Sequence, residues 1–379
     1  MTITRPCYSN ADETARSLDF KPGVNVQDAL NRALQSSAEN IDGHLHRVFY
    51  PWDTTFWWDW PNQGGSGGGQ YASPWRLWFD QWDCCYLGAF ASGGNAIPTS
   101  AIFLEPVNRK PGWPYEYLEL DRSQSYAFSG GQTPQHNLAG TGTWGFCADA
   151  YQVATLPDGA AEGATSVTVS DGSQIGVGDL MVLGYGRGEA AGPPGYASAV
   201  PPYLGERCLV AGKTTAATGL TQAGSGCGSL SDSDQTLTTT GTGALCCGEV
   251  LLLDSEQMLV EDVTNGVATV QRAWAGTALA PHSGAEVYAY RQLTVDRAIL
   301  GTTGASYAEG AAVFKHRVPG LVRDLSIAES VNRLLQEGAG YARTVGAGDA
   351  AMPASGMALA DLWAEAKTAF GRKARHRGV

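Results

Sequence analysis

Charged residues are scarce in this chain of 379 residues. Asp, Glu, Lys and Arg make up 16% of it, against about a quarter in most soluble domains. No segment approaches the run of about 18 apolar residues that a membrane-spanning helix requires. Residues 1–17 carry four charges and no apolar stretch, so we expect no secretory signal. The low charge favours surfaces that are buried against partner molecules over those of a freely soluble enzyme.

Metal-binding patterns are also missing. The eight cysteines form two adjacent pairs and four scattered single residues, without a C-x-x-C spacing. We therefore predict reduced cysteines that serve as small apolar side chains. His44 and His46 fall on a predicted helix, where positions i and i+2 point apart, while His282 and His316 are isolated near turns. We expect surface or hydrogen-bonded histidines, and neither a metal nor a cofactor.

No catalytic constellation stands out. Residues 64–68 match the G-x-S-x-G nucleophile motif, but that motif needs a strand before it and a helix after it, and here it lies in a polyglycine stretch. The Gly-rich segment 184–188 similarly has no strand–helix context for phosphate binding. Nothing singles out a pair of carboxylates for glycoside hydrolysis. We predict that the protein is not an enzyme.

Helical periodicity occurs at both ends of the chain. A short helix is predicted from Ala11 with Ser9 as its cap, and apolar residues at spacings of three and four predict a longer helix over 26–47. The same spacing predicts helices over 321–337 and 357–374. Aromatic-rich and alternating segments between residues 50 and 151 predict strands and hairpins.

The middle of the chain contains two internal repeats. Segment 166–183 recurs about seventy positions later as 237–253, and 270–277 recurs as 295–302, with a Gly-Ala dipeptide after each copy. Each copy of the first repeat is predicted to form strand, turn and strand. The Gly-, Pro- and Ser-rich stretch 184–234 is predicted to be a long exposed excursion.

These patterns predict an α+β fold with three regions. Residues 1–151 and 318–379 would form a small core of N- and C-terminal helices with β-hairpins. Residues 152–317 would form an inserted β-rich domain of duplicated small β units.

Tryptophan is concentrated near the N-terminus, where seven of the eleven residues fall within a short stretch. Large aromatic area buried in a core or between subunits is the favoured interpretation, because tryptophan is enriched at interfaces. Stacking on sugars in a receptor-binding module is the alternative. The candidates for the subunit interface are Trp52, Trp57, Trp58, Trp60, Trp75, Trp78 and Trp82.

Charge is unevenly distributed along the chain. The formal net charge is −12, yet residues 366–379 contain five basic residues and no acid, which leaves −17 on the rest. An acidic body disfavours non-specific nucleic-acid binding, and a basic tail calls for an acidic partner. The basic residues are Lys367, Arg372, Lys373, Arg375 and Arg377.

The predicted second helix ends in the motif Gly-x-x-x-Arg-x-Phe-Tyr-Pro at residues 43–51. Strand segments follow over 74–79, 103–106 and 115–120, and a late helix follows a proline over 318–329. Together with residues 7–19, this succession resembles the head–tail connector (adaptor) proteins of long-tailed bacteriophages. The resemblance covers residues 7–150 and 318–345. The segment 152–317 departs from it, because family members are usually much smaller.

The resemblance implies a virion structural protein at the head–tail interface, made and assembled in the bacterial host cytoplasm. About twelve identical subunits would form a ring beneath the capsid portal. Double-stranded DNA would pass through the lumen without sequence-specific binding. Its partners would be the portal protein, which the basic tail would contact in preference to DNA, and a stopper or tail-completion protein. The alternative is a tail-fibre or receptor-binding protein that recognises host-surface glycans.

Overall fold

The structure of the chain is a computed structural model. It describes residues 3–17, 24–60, 75–79, 82–110, 113–129, 133–146, 148–186, 204–223, 230–338, 344–345, 352–353 and 357–372. Strands account for 40% of it and helices for 21%. The predicted α+β fold, a small helical core with β-hairpins, is therefore wrong: the described chain is mostly β, with a closed six-stranded barrel, large sheets and four helices. The physical reason is that the predicted hairpins pair into sheets with hydrophobic cores of their own.

The four predicted helices are present in the described residues. Asn10, and not Ser9, caps the first, because its Oδ1 accepts a hydrogen bond from the Glu13 N–H at 2.8 Å. The second and third helices pack together through Ala38, Ile41 and Val322. The helices are α1 Ala11–Ser17, α2 Val24–Leu45, α3 Gly320–Gly338 and α4 Met357–Phe370. No helix in the described segments is both long and apolar enough to cross a membrane.

Seven strands after α2 form a β-sandwich. A four-stranded sheet in the order β1-β7-β3-β4 and a three-stranded sheet in the order β2-β6-β5 share one apolar core, which centres on Trp144, Leu87 and Leu118. β1 lies at an edge of the four-stranded sheet. The strands are β1 Trp52–Trp58, β2 Arg76–Trp78, β3 Cys84–Ser92, β4 Asn95–Ile97, β5 Ile102–Glu105, β6 Tyr117–Leu120 and β7 Leu138–Trp144.

Ten further strands form one continuous antiparallel sheet that folds back on itself. Two short strands, β18 Thr344–Val345 and β19 Met352–Pro353, pair separately. The ten strands are β8 Ala150–Leu156, β9 Ser166–Thr168, β10 Leu180–Gly186, β11 Leu204–Gln222, β12 Thr236–Gly241, β13 Val250–Leu253, β14 Glu256–Thr264, β15 Val267–Gln271, β16 Glu286–Asp296 and β17 Ala311–His316.

Two long strands divide this sheet into two units. β11 and β16 pair along their length, and that pairing closes a barrel in the order β11-β12-β15-β14-β13-β16. We call residues 215–291 the second β unit, and residues 150–214 with 292–317 the first β unit. Each unit has its own apolar cluster.

The register shows that the two units are copies. Leu183 pairs with Glu206 in the first unit, as Leu253 pairs with Glu256 in the second. The second strand of each hairpin also carries a β-bulge in its pairing with the next strand of the unit: β11 with β16 between Val210 and Gly212, and β14 with β15 between Val260 and Asp262. The predicted sequence repeats therefore occupy equivalent positions in the structure.

The second unit is inserted into the first. In the second unit, Thr264 pairs with Val267 across the two-residue turn Asn265-Gly266. The equivalent pair in the first unit is Thr214 with Gln292, and the chain between them is the whole second unit. The predicted excursion 184–234 is thus wrong in its described part, where β11 spans both units; residues 187–203 and 224–229 lie outside the described residues.

The N-terminal segment and helices cover one face of the first unit. Cys7 N donates to Gly178 O at 2.9 Å, and Ala11 N donates to Val177 O at 3.0 Å. Ile3, Cys7 and Ala11 share an apolar cluster with Leu30 and Leu34 of α2 and with Val177 and Leu209 of the first unit.

Candidate functional site

Each β unit carries a tight loop that begins with arginine. The loop spans residues 297–302 in the first unit and 272–277 in the second, and both have the sequence Arg-Ala-x-x-Gly-Thr. The backbone has positive φ at non-glycine residues in both loops: 53° at Ala298 and Leu300, and 52° at Ala273 and Ala275. Such conformations cost of order 1–3 kcal/mol per residue and persist only where surrounding contacts enforce them.

A buried glutamate enforces the loop of the second unit. Glu256, 0% exposed, accepts hydrogen bonds from Arg272 Nε and Nη2 at 2.7 Å each. It also accepts from the backbone N–H groups of Ala273 at 2.9 Å and Ala280 at 3.1 Å. Burial alone would raise the pKa of Glu256, but the hydrogen bonds donated by Arg272, His282 and the two amides outweigh it and lower the pKa to about 2.

The first unit repeats this arrangement. Glu206 accepts from Arg297 Nε at 2.9 Å and Nη2 at 2.6 Å, and from the amides of Ala298 and Ala305 at 3.1 Å each. Burial opposes ionisation of Glu206 as well, yet these donors keep its pKa below the ordinary value. Because the same contacts hold both loops, each loop is a pre-formed element whose outer surface is free to differ between the units.

His282 belongs to the second of these networks. Its Nδ1 lies 2.7 Å from Asp254 Oδ2 and its Nε2 lies 2.9 Å from Glu256 Oε2, and the ring is buried. The prediction of a hydrogen-bonded histidine is confirmed. Tyr307 occupies the equivalent place in the first unit and donates to Leu183 O at 3.2 Å. Both oxygens of Glu256 are bound to further donors, so the geometry fits a structural brace.

The outer surface of the first loop holds the β-sandwich. Leu300 O accepts from the Asp53 N–H at 2.9 Å and from Arg207 Nη1 at 3.2 Å. Arg207 also pairs with the Asp53 carboxylate at 3.0 Å. Gly301 lies so close to β1 that a Cβ on it would sit 1.8 Å from Asp53 O. The first loop is therefore a docking element for the backbone of the edge strand β1.

Five of the predicted interface tryptophans pack within the sandwich. Trp58, Trp60, Trp75 and Trp82 are half-buried and pack on the core of the sandwich, and Trp52 packs on Trp82 with ring centroids 5.3 Å apart. These rings fill the space between two small sheets, and their assignment to a subunit interface stays a prediction.

Two tryptophans lie on outer surfaces of the sandwich. Trp78 is half-buried on the outer face of the three-stranded sheet and packs against Tyr117 with centroids 4.1 Å apart. Trp57 is 59% exposed and lies on β1. Among the seven, Trp57 has the exposure that a partner would need.

The basic tail is also divided. Arg372 folds inward, where its Nη2 lies 2.7 Å from Asp83 Oδ1 and its side chain is 11% exposed. Arg47 contacts the same Asp83 carboxylate at 3.0 Å. The role of Arg372 as a portal or DNA contact stays a prediction, which its inward orientation disfavours. Lys367 is exposed on α4, 5.9 Å from the Trp363 ring. Lys373, Arg375 and Arg377 lie outside the described residues.

One cluster among the described residues has ligand atoms close enough for a metal ion: Asp171, Cys246 and Glu249. Both Glu249 oxygens already accept from Arg291 at 2.7 Å. Burial is the main reason that the pKa of the Cys246 thiol is raised to about 11, which keeps it protonated at neutral pH. The donor set therefore fits an ion pair and does not fit a metal.

A cavity of about 280 Å³ lies where α1 and α3 meet the first unit. Its buried cation, Lys315, contacts Asp179 at 3.0 Å and Glu13 at 3.4 Å. His316, in the same wall, donates from Nε2 to Phe49 O at 2.7 Å, and burial lowers its pKa to about 4. The Gly64–Gly68 serine motif lies outside the described residues.

Sequence reasoning identified the arginines of both loops as parts of a repeat, but it missed their partners Glu206 and Glu256. The signal that could have found them is the shared pattern Glu-x-x-Leu-Val at 206–210 and 256–260. Comparisons with known protein families, with curated proteins and with solved structures find no match for this chain.

Proposed function

We propose that this chain is a virion structural protein, a head–tail adaptor subunit that forms a ring between the capsid portal and the tail. Double-stranded DNA passes through the lumen of that ring. The observation that carries the proposal is the charge of the second β unit, whose exposed charged residues are all acidic.

The second unit contains eight carboxylates, two arginines and no lysine. Both arginines are bound to buried glutamates, Arg272 to Glu256 and Arg291 to Glu249. They therefore contribute no positive charge to the surface. The six remaining carboxylates lie at the surface: Asp232, Asp234, Asp254, Glu261, Asp262 and Glu286.

An acidic wall suits a channel for DNA. Binding to DNA depends on cationic side chains that neutralise phosphates and release counterions. A surface with carboxylates and without cations repels the phosphate backbone within a Debye length of about 8 Å. A ring whose second units face the lumen would let DNA slide without adhering.

The opposite charge lies at the C-terminus. The exposed Lys367 and the tail residues Lys373, Arg375 and Arg377 form a basic segment. In the proposed ring, this segment contacts an acidic surface of the portal protein, and a stopper or tail-completion protein binds the other side.

The alternative of a glycan-binding tail fibre depends on accessible tryptophan faces, since sugars stack on exposed rings. Trp57 alone among the seven predicted residues is exposed. The acidic unit and the basic tail favour the adaptor.

The experiment is native mass spectrometry of the purified chain, alone and then mixed with its portal protein. We expect either a closed ring of about a dozen copies or a monomer that assembles only on the portal. A variant with Lys367, Lys373, Arg375 and Arg377 changed to serine should lose portal binding and keep its fold by circular dichroism. A stable trimer that ignores the portal and binds cell-wall glycan would overturn the proposal.

A further inference from the structure

The duplication assigns each residue of the first loop a counterpart in the second. Equivalent pairing registers place Trp274 at the position of Ile299, Ala275 at that of Leu300 and Gly276 at that of Gly301. Both loops close with a threonine hydrogen bond, from Thr302 Oγ1 to Ile299 O and from Thr277 Oγ1 to Trp274 O. The two loops thus have the same shape, and what covers one indicates what fits the other.

The first loop is covered on two sides within the chain. The backbone of β1 lies against Leu300 and Gly301, as described above. Ile299 packs on the apolar cluster beneath the N-terminal segment and α2, next to Leu209, which is 2% exposed, and Val177, which is 8% exposed.

In the second unit, Arg16 of α1 donates to Gly248 O at 2.7 Å, but no described strand bonds to Ala275 or Gly276 and Trp274 is not part of a buried apolar cluster. Cys247, at the position of Val177, is exposed, and Leu259, at that of Leu209, is half-buried. Trp274 is half-buried, Gly276 is exposed, and the neighbouring Leu279 is 46% exposed. A large ring and a leucine therefore reach the surface where the first unit has its cover.

An edge strand is the partner that the loop shape selects, because the first loop already binds one through its backbone. β1 is such an edge, and its Asp53 end is occupied by the first loop of the same chain. Its other end carries Trp57, the most exposed large apolar side chain of the described residues, at 59%. The second loop has Gln257 where the first has Arg207, so it has no cation for Asp53 and suits a neutral stretch of strand.

We propose that the loop at Trp274–Gly276 of one subunit docks on the Trp57 end of β1 in a second copy of this chain. The contact joins two different surfaces, so it is heterologous and can propagate from copy to copy until a ring closes. Ring closure around DNA rests on the proposed function; the pairing of the two surfaces does not. Aromatic side chains at the centre of such a contact commonly carry most of the binding free energy.

The test is a double-mutant cycle on the full chain, read by sedimentation velocity. We expect Trp274→Ala and Trp57→Ala each to weaken self-association about tenfold or more, and the double variant to be no weaker than the poorer single variant. Tyr126→Ala, which removes an aromatic side chain that is 40% exposed elsewhere on the sandwich, is the matched control and should leave association unchanged. Circular dichroism confirms that each variant is folded.

Three results would overturn this pairing: single variants that associate like the unmodified chain, effects that add fully in the double variant, or an unmodified chain that stays monomeric at every concentration reached. If the unmodified chain stayed monomeric but still assembled on the portal, the adaptor function would remain supported and only the proposed pairing would be refuted. If the chain self-associated but did not assemble on the portal, the pairing would remain supported and the adaptor function would be refuted.

Discussion

Replacing Glu256 by glutamine tests whether the buried carboxylate holds the loop of the second unit. The substitution keeps the size of the side chain but removes its charge and turns one acceptor oxygen into an NH₂ donor. Whichever oxygen is replaced, the new NH₂ group faces Arg272 and at least one backbone N–H. Arg272, whose side chain is 7% exposed, then loses its charge partner. Breaking a buried pair in this way costs about 3–5 kcal/mol.

The assay is equilibrium unfolding in urea, followed by circular dichroism, with two matched variants. Glu206→Gln makes the same change in the first unit, where four donors also converge, and we expect a similar loss. Glu261→Gln removes an exposed carboxylate from the second unit and should change the free energy of unfolding by less than about 0.5 kcal/mol. If Glu256→Gln costs no more than Glu261→Gln, the argument that the loop depends on its glutamate is refuted.

Three further predictions concern other parts of the molecule. Acidification from pH 6.5 towards pH 4 should remove about 3 kcal/mol from the free energy of unfolding. The reason is that the pKa of His316 is lowered from 6.5 to about 4 in the folded protein, so protonation favours the unfolded state. Calorimetry of His316→Gln across that pH range should show a shallower decline in stability. Arg372→Ala should destabilise the protein by about 2 kcal/mol in urea, since a buried carboxylate loses a charged partner, whereas Lys367→Ala should change stability by less than about 0.5 kcal/mol. Trp58→Ala should cost about 3–5 kcal/mol by the same measurement, and the exposed Trp57→Ala should be near neutral in the isolated subunit.

The helices were predictable because each buries one face. In α2, Leu34, Ala38, Ile41 and Leu45 recur every three or four residues and all are buried, so periodicity located the helix to within a few positions. The repeats were equally visible, since the loops and turns that specify them need glycine and threonine at fixed places.

The closure of the sheet could not be predicted in the same way. β11 pairs with β16 across three register shifts, and each shift interrupts the period-two alternation by which a strand is recognised. The two halves of β11 also belong to different apolar cores: Cys208 and Val210 lie in the core of the first unit, and Leu220 lies in that of the second. The predicted excursion over 184–234 followed from its content of Gly, Pro and Ser, which is typical of a loop, and the broken alternation left no strand pattern to oppose it.

Only the arginines of the candidate site could be predicted from the sequence, because their glutamate partners lie far from them along the chain. Arg297 and its glutamate are separated by 91 residues, because the second unit lies between them. A pair so distant leaves no local pattern, whereas the pair Arg272 and Glu256 is separated by 16 residues. The tryptophan cluster predicted aromatic burial, but whether a ring faces its own core or a neighbour depends on sheet pairing, which composition does not encode.

The insertion of one β unit into the hairpin of the other has a consequence for how this chain could have arisen and how it can be edited. Thr214 and Gln292 face each other on the paired strands β11 and β16, so the inserted unit enters and leaves through adjacent points. Insertion of a copy of the first unit into the turn between its strands β11 and β16 produces this topology in a single step and changes no other strand connection. For the same reason the inserted copy is removable: joining the two sides by Asn-Gly would recreate the turn that the copy itself still uses at Asn265-Gly266. The second β unit thus keeps, at Asn265-Gly266, the short turn that the first unit would have had before the insertion.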